Sequence, residues 1–230
     1  MKKEIPILFS TPMVIAVDNE TKSKTRRTRG LEKINIKATE IVKSNNWQKQ
    51  GDFVARFVVP GEVERYEVTD VIKCPYGKIG DLLWVRETFA IGLTSGFHFF
   101  KANYVNREVP SGLSKWKPSI HMPKSYARIW LEITNIRVER LHDITEEDAK
   151  AEGVLLFPQD DDLKDIQVWD GNKWGNTKTI NTYKNYLKNS VSECYTARDS
   201  FESLWYETNG VASWFANPWV WVIEFKKITR

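Results

Sequence analysis

The chain has 230 residues, 41% of them hydrophobic and 28% charged, and a formal net charge of only +4. That length allows one domain with a sizeable core, or one domain carrying a large insertion, and that charge limits any polyanion footprint to a local patch. The two cysteines, Cys74 and Cys194, form no CxxC pair, which argues against a zinc ribbon or disulfide scaffold and fits a reducing cytoplasm.

Ile5–Phe9 reads as a strand. Ser10 or Thr11 can then cap a short helix with Pro12 in its first turn, running to about Asp18. Residues 22–27 place four cations (Lys22, Lys24, Arg26, Arg27) and two hydroxyls (Ser23, Thr25) in six positions. Residues 31–50 carry spaced apolar positions and are expected to be helical. Phe53–Val59, Pro60-Gly61 and Val63–Val71 form a hairpin with a Pro-Gly turn. Cys74–Gly77 is a turn, Leu82–Phe89 a buried strand and Phe97–Val105 a further strand. Residues 110–125 form a loop bearing Trp116, Lys117, His121 and Lys124. Tyr126–Leu141 alternates, with Ala127, Ile129, Leu131 and Ile133 on one face. Thr145-Glu146-Glu147-Asp148 opens a short helix ending near Gly153. Residues 155–190, rich in Asp, Asn and Lys, look like an insertion. Thr196–Thr208 reads as a helix with Phe201, Leu204 and Trp205 at core spacing, and Trp219–Phe225 as a strand. The expected class is mostly β with flanking helices (α+β), a small β-barrel. No signal segment is visible, and no apolar run approaches the roughly 20 residues that span a bilayer, so a cytoplasmic protein without membrane contact is expected.

Three stretches can carry chemistry. Lysine serves as a base only when burial or neighbouring cations lower its pKa, and the hexamer supplies such cations around Lys22 and Lys24. Thr25 is then a candidate nucleophile, since a hydroxyl needs such a base, while Arg26 and Arg27 can fork onto a phosphate or carbonyl. The other reading of the hexamer is a solvated basic loop. In the helix after Thr145, Glu146, Glu147 and Lys150 share the outward face and Glu146 can pair with Lys150. Asp148 reads as a cap partner. Glu152 points inward, which is costly unless it is paired, with Arg86 or Arg27, or used. Glu87 ends its strand beside Arg86, and His121 lies in a loop of aromatic and basic residues. No Cys/His cluster, GxxxxGK[ST] loop or GxGxxG fingerprint occurs, so no metal or cofactor is expected.

Taken in order, Lys22-x-x-Thr25-x-Arg27, Gly80-Asp81-Leu82-Leu83-Trp84-Val85-Arg86-Glu87, Ile129–Leu141 followed by Ile144–Gly153, and the strand Trp219–Phe225 resemble the ASCH family of PUA-like β-barrels. With Cys74–Gly77 and Pro118–Pro123 added, the string looks like the longer ASCH proteins of phages and prophages. The resemblance covers most of the chain except about 28–60 and 155–190, and implies a single domain over 1–230 with insertions there. It further implies a cleft for a modified nucleoside or RNA, and N4-acetylcytidine amidohydrolase chemistry with catalytic Lys22, Thr25 and Glu152. Lys24, Arg26, Arg27, Trp84, Arg86, Glu87, Trp116 and His121 would then serve substrate binding. Two alternatives stand beside it: a non-catalytic RNA- or modified-base-binding module, and a metal-independent ribonuclease using Lys22 and Arg27. This chain departs from the family pattern at Glu20, where a glycine is usual, and at Lys24, where an uncharged residue is more common.

Overall fold

The computed structural model describes residues 2–32, 34–35, 40–43, 53–58, 66–157, 167–169, 174–176, 182–187 and 192–229. In chain order these form β1 (Glu4–Leu8), α1 (Thr11–Asp18), β2 (Lys24–Arg27), β3 (Glu40–Lys43), β4 (Phe53–Val58), β5 (Tyr66–Ile72), β6 (Leu82–Arg86), β7 (Phe89–Ile91), β8 (His98–Phe100) and β9 (Trp130–Arg140). There follow α2 (Glu146–Ala151), β10 (Leu156–Phe157), β11 (Gln167–Trp169), β12 (Trp174–Asn176), β13 (Thr182–Tyr183), α3 (Ala197–Asn209), α4 (Val211–Phe215) and β14 (Trp219–Ile228). No helix among the described residues is long and apolar enough to cross a membrane.

The fold is mixed α and β, built on a five-stranded sheet of order β1-β6-β9-β14-β2. β1 runs parallel to β6, and the other pairs are antiparallel. β14 explains the layering. Its odd residues Trp219, Trp221, Ile223 and Phe225 enter a core with Ile7, Leu83, Leu131 and, from the small sheet β3-β4-β5, Ile41 and Phe53. Its even residues Val220 and Val222 enter a second core with Ala149, Phe201, Trp205 and Trp214 from the helices. Side chains alternate across a strand, so a run apolar at nearly every position is buried on both faces.

Two helix ends help to position the cavity and its walls. At the end of α1, Thr21 N–H donates to Ala16 O (2.9 Å) and Glu20 N–H to Val17 O (3.1 Å), with Glu20 at φ +59°. This is the left-handed helix stop that favours glycine, so the sequence departure at Glu20 falls on a strained position. At the start of α3, Thr196 Oγ1 accepts from Asp199 N–H (3.0 Å), while the Glu146 carboxylate accepts from Ala197 N–H (2.8 Å) and Arg198 N–H (3.1 Å).

Three expectations are corrected and one, the hairpin, holds. The helix expected over 31–50 meets a strand at Glu40–Lys43, because pairing of Ile41 with Ala55 across β3 and β4 satisfies the backbone there; the rest of that span lies largely outside the described residues. The hairpin is present as β4 and β5, its Pro60-Gly61 turn lying outside the described residues. The Phe97–Val105 strand shortens to β8, the chain then tightening into a 3₁₀ turn over Lys101–Tyr104. Glu146 serves the α3 N-terminus, where free N–H groups and the helix dipole reward an anion, instead of a surface pair with Lys150.

Candidate active site

β2 and the end of α2 meet although they lie far apart in the chain. Lys22 and Glu152 form an isolated antiparallel bridge, and Ser23 N–H donates to Ala151 O at 2.9 Å. The approach is close enough to demand glycine next to it. Gly153 has φ +80°, and a Cβ there would stand 2.7 Å from Ala16 Cβ and 2.7 Å from Lys22 Cβ. Side chains complete the link: Lys22 Nζ donates to Glu152 Oε2 at 2.9 Å and to Glu152 O at 2.7 Å. Lys22, Thr25, Arg26 and Glu152 are each at most 5% exposed.

These residues line a cavity of about 310 Å³, together with Arg27. β2 is an edge strand, so side chains on both its faces reach the opening. Its other walls come from Phe9 and Met13 near α1, and from Phe201, Leu204 and Trp205 on α3. Thr88, Ser119, Thr208 and Asn209 add polar groups at its lining. The charged lining is three cations to one carboxylate, which suits an electron-rich ligand.

The cations differ in state. Burial pushes the Lys22 ammonium below its usual range, and Arg27 and Arg26 push the same way against the opposing pull of Glu152. The crowding that the hexamer suggested is thus secondary to burial, and Lys24 takes no part in it, because its ammonium faces Asp148 Oδ1 (2.6 Å) and Glu224 (3.5 Å). Burial also works against the Arg26 charge, but Glu152 and Glu139 outweigh it and hold its pKa above the usual value. Arg26 Nη1 reaches Glu152 Oε1 at 3.1 Å, Nη2 reaches Asp148 Oδ2 at 2.7 Å and Nε reaches Glu139 Oε1 at 3.1 Å. Arg137 closes this network on Asp148 Oδ2 (2.6 Å) and Glu139 Oε2 (2.8 Å). Burial tends to raise the Asp148 carboxyl, but hydrogen bonds from Lys24 and Arg26 win and hold it below the usual range. Arg27, by contrast, is pushed down by burial; it donates to Leu8 O at 2.8 Å and lies over the Phe9 ring at 5.6 Å.

One local expectation changes and one is extended. Glu152 pairs with Lys22 and Arg26, not with Arg86 or Arg27. Asp148 gives its backbone N–H to Thr145 Oγ1 (3.1 Å), but its carboxylate belongs to the ion network.

The other residues singled out from the sequence lie outside this cavity. Trp84 packs with Leu82 and Trp130. Arg86 lies over the Trp84 ring at 5.5 Å and donates to Ile120 O. Glu87 is fully buried in a fork with Arg128 Nε (2.8 Å) and Nη2 (2.9 Å); burial pushes its carboxyl up against the pull of Arg128. Trp116 is half-buried beside Tyr104, their ring centroids 6.3 Å apart, and His121 is exposed. Spacing alone does not mark the α3 wall as part of a site, because its apolar members read only as core. Thr208 and Asn209, polar at the end of that helix, are the signal that points to it. Compared with protein-family models, curated proteins and solved structures, the chain matches none.

Proposed function

We propose that this chain is an ASCH-type, PUA-like barrel protein that hydrolyses the amide of an N4-acylated cytidine. The observation that carries the reading is the buried Lys22–Glu152 pair on the wall of a cavity that Thr25 also lines. A cavity of about 310 Å³ falls at the lower end of small-ligand sites. Barrel closure is supported by Arg27, whose Nη2 donates to Leu8 O at 2.8 Å and so ties β2 to β1, the two outer strands of the sheet.

In this reading the Lys22 ammonium, already disfavoured by burial, passes a proton to Glu152. The neutral amine takes the Thr25 proton as Thr25 Oγ attacks the acyl carbonyl. Arg27 faces the developing oxyanion. Glu152 returns its proton to N4 as the C–N bond breaks, leaving an acyl ester on Thr25 and free cytidine. Lys22 again passes its proton to Glu152 and takes one from water as the water oxygen attacks the ester; Glu152 gives its proton to Thr25 Oγ as the ester C–O bond breaks, releasing the carboxylic acid and restoring the hydroxyl. Arg26, held by Glu139 and Asp148, positions Glu152.

The rival reading is a binding module for modified bases. It is favoured by the hydrogen bonds of Lys22, both of which go to Glu152 and neither to Thr25. Incubation with N4-acetylcytidine, with chromatography of the cytidine released, separates the two. The hydrolase reading expects turnover that falls about a hundredfold or more in Lys22→Ala, Thr25→Ala and Glu152→Ala. Absence of turnover in the parent protein, with ligand binding weakened by Arg27→Ala, sinks it in favour of the binder; cleavage of RNA chains without metal favours the ribonuclease.

A further inference from the structure

α1 begins at the cavity. Leu8, Phe9, Ser10 and Met13, in its first turn and the approach to it, all line the wall. α1 has eight residues, and Ser10 stands in the capping position with an extended backbone (φ −70°, ψ 159°). A serine there ordinarily accepts an N–H of the first turn through its side chain. Ser10 does not: its backbone oxygen accepts from Val14 N–H at 2.9 Å, but its hydroxyl caps nothing. Pro12 has no N–H, and those of Thr11 and Met13 have no intrahelical acceptor. The positive end of the helix dipole stands with them.

A second observation points to the same place. Thr25 is 3% exposed and lines the cavity, and its hydroxyl has no hydrogen-bond partner among the described residues. Strand register sets it on the side of α1. Thr25 opposes Ile223 and Arg27 opposes Trp221 across the ladder of β2 with β14. Both therefore leave β2 by the face whose core also holds Phe9 and Met13. Arg27 Nη2 donates to Leu8 O at 2.8 Å, two residues before Ser10. The other two cations of the lining are committed, since Lys22 and Arg26 both bond to Glu152.

We propose that the open start of α1, the Ser10 and Thr25 hydroxyls and Arg27 form a binding site for the carboxylate of a short-chain monocarboxylic acid. Hydroxyls, main-chain N–H groups and a guanidinium all donate, and a carboxylate only accepts. One available cation suits a monoanion; a phosphate dianion would need the two that Glu152 holds. Leu8, Phe9 and Met13 give an alkyl tail an apolar wall. The carboxylate site stands without the hydrolase reading, while its place in a reaction sequence rests on that reading. There, a carboxylate beside Thr25 occupies the position of the acyl group, and the acid is the product released last, after the cytidine. The bound acid then blocks the next substrate.

The test is calorimetric titration of the full chain with butyrate, with butyramide and inorganic phosphate as comparison probes. Butyrate is expected to bind about tenfold tighter than either, the worth of a charge-assisted hydrogen bond. Arg27→Ala is expected to weaken butyrate binding about tenfold. Ser10→Asp keeps a good helix cap while setting a fixed carboxylate at the site, so it is expected to unfold no earlier in urea than the parent and to lose butyrate binding. In a parent protein that releases cytidine from N4-acetylcytidine, butyrate is expected to inhibit competitively. Butyrate binding by a protein that leaves N4-acetylcytidine intact supports the site while removing the hydrolase reading. No saturable butyrate binding overturns the site. So does equal affinity for butyramide, tighter binding of phosphate, or parental affinity in Ser10→Asp. Inhibition that substrate does not relieve overturns the placement of the acid beside Thr25.

Discussion

Arg26 and Arg27 are chain neighbours of the same type, yet they live in opposite electrical surroundings. Arg26 opposes Val222 and faces the helices, where Glu139, Asp148 and Glu152 surround it. Arg27 opposes Trp221 and faces Phe9 and a backbone carbonyl. Strand parity makes the difference, since adjacent side chains leave by opposite faces. One arginine neutralises carboxylates that the fold has buried; the other offers a charge whose nearest hydrogen-bond partner is neutral. A cation held that way is suited to meet a ligand's negative charge, and a cation with three carboxylates is suited to hold architecture.

Substitution breaks this comparison most sharply. Arg26→Ala leaves buried carboxylates uncompensated and is expected to cost about 3–5 kcal/mol in urea unfolding, whereas Arg27→Ala should cost about 1 kcal/mol or less while weakening ligand binding. Equal losses for the two would erase the distinction. Gly153→Ala is next, at about 3 kcal/mol, combining a left-handed backbone with contacts to Ala16 and Lys22 too close for a methyl group; unfolding at the parent's urea midpoint would show that α2 and β2 approach each other less closely than those distances require.

Alkaline pH sharpens the comparison. The Lys22 pKa lies below its ordinary 10.5, so between the folded value and 10.5 the unfolded chain holds more protons, and stability must rise with pH across that window. Lys22→Met removes the rise, and urea midpoints measured up to that pH in both proteins check it. Asp148 is the mirror case: held below its ordinary 3.8, it stabilises the fold above that pH and the contribution is lost as pH falls below it. Glu20→Gly gives the smallest effect, a gain of about 1 kcal/mol or less from relief of the left-handed residue, partly offset by glycine's backbone entropy.

Much of the fold could be read locally. β14 announces itself because both of its faces are apolar, and α3 because Thr196 caps a run with core spacing. The helix expected over 31–50 fails at β3, where strand pairing decides and no local signal records the partner. The site divides the same way. Lys22, Thr25 and Glu152 stand out because a crowded amine, a hydroxyl and an inward acid are each costly without a purpose. Glu146 misleads because its nearest plausible partner lies on the same helix, while the partner it takes is the distant α3 N-terminus; Asp148 caps α2 as read, but its carboxylate also pairs with Lys24, Arg26 and Arg137 on other strands, which local spacing does not reveal. Phe201 and Trp205 serve core and cavity wall at once, and core spacing reveals only the first.

β14 lies between β9 and β2 in the sheet, and its placement has a consequence for biosynthesis. A ribosome delivers Lys22 and Thr25 early, but among the described residues the strand that carries Thr25 has its one ladder partner in Trp219–Ile228, which emerges last. The cavity wall cannot form on the nascent polypeptide, and a molecule stalled before that point carries the residues of the site without its shape.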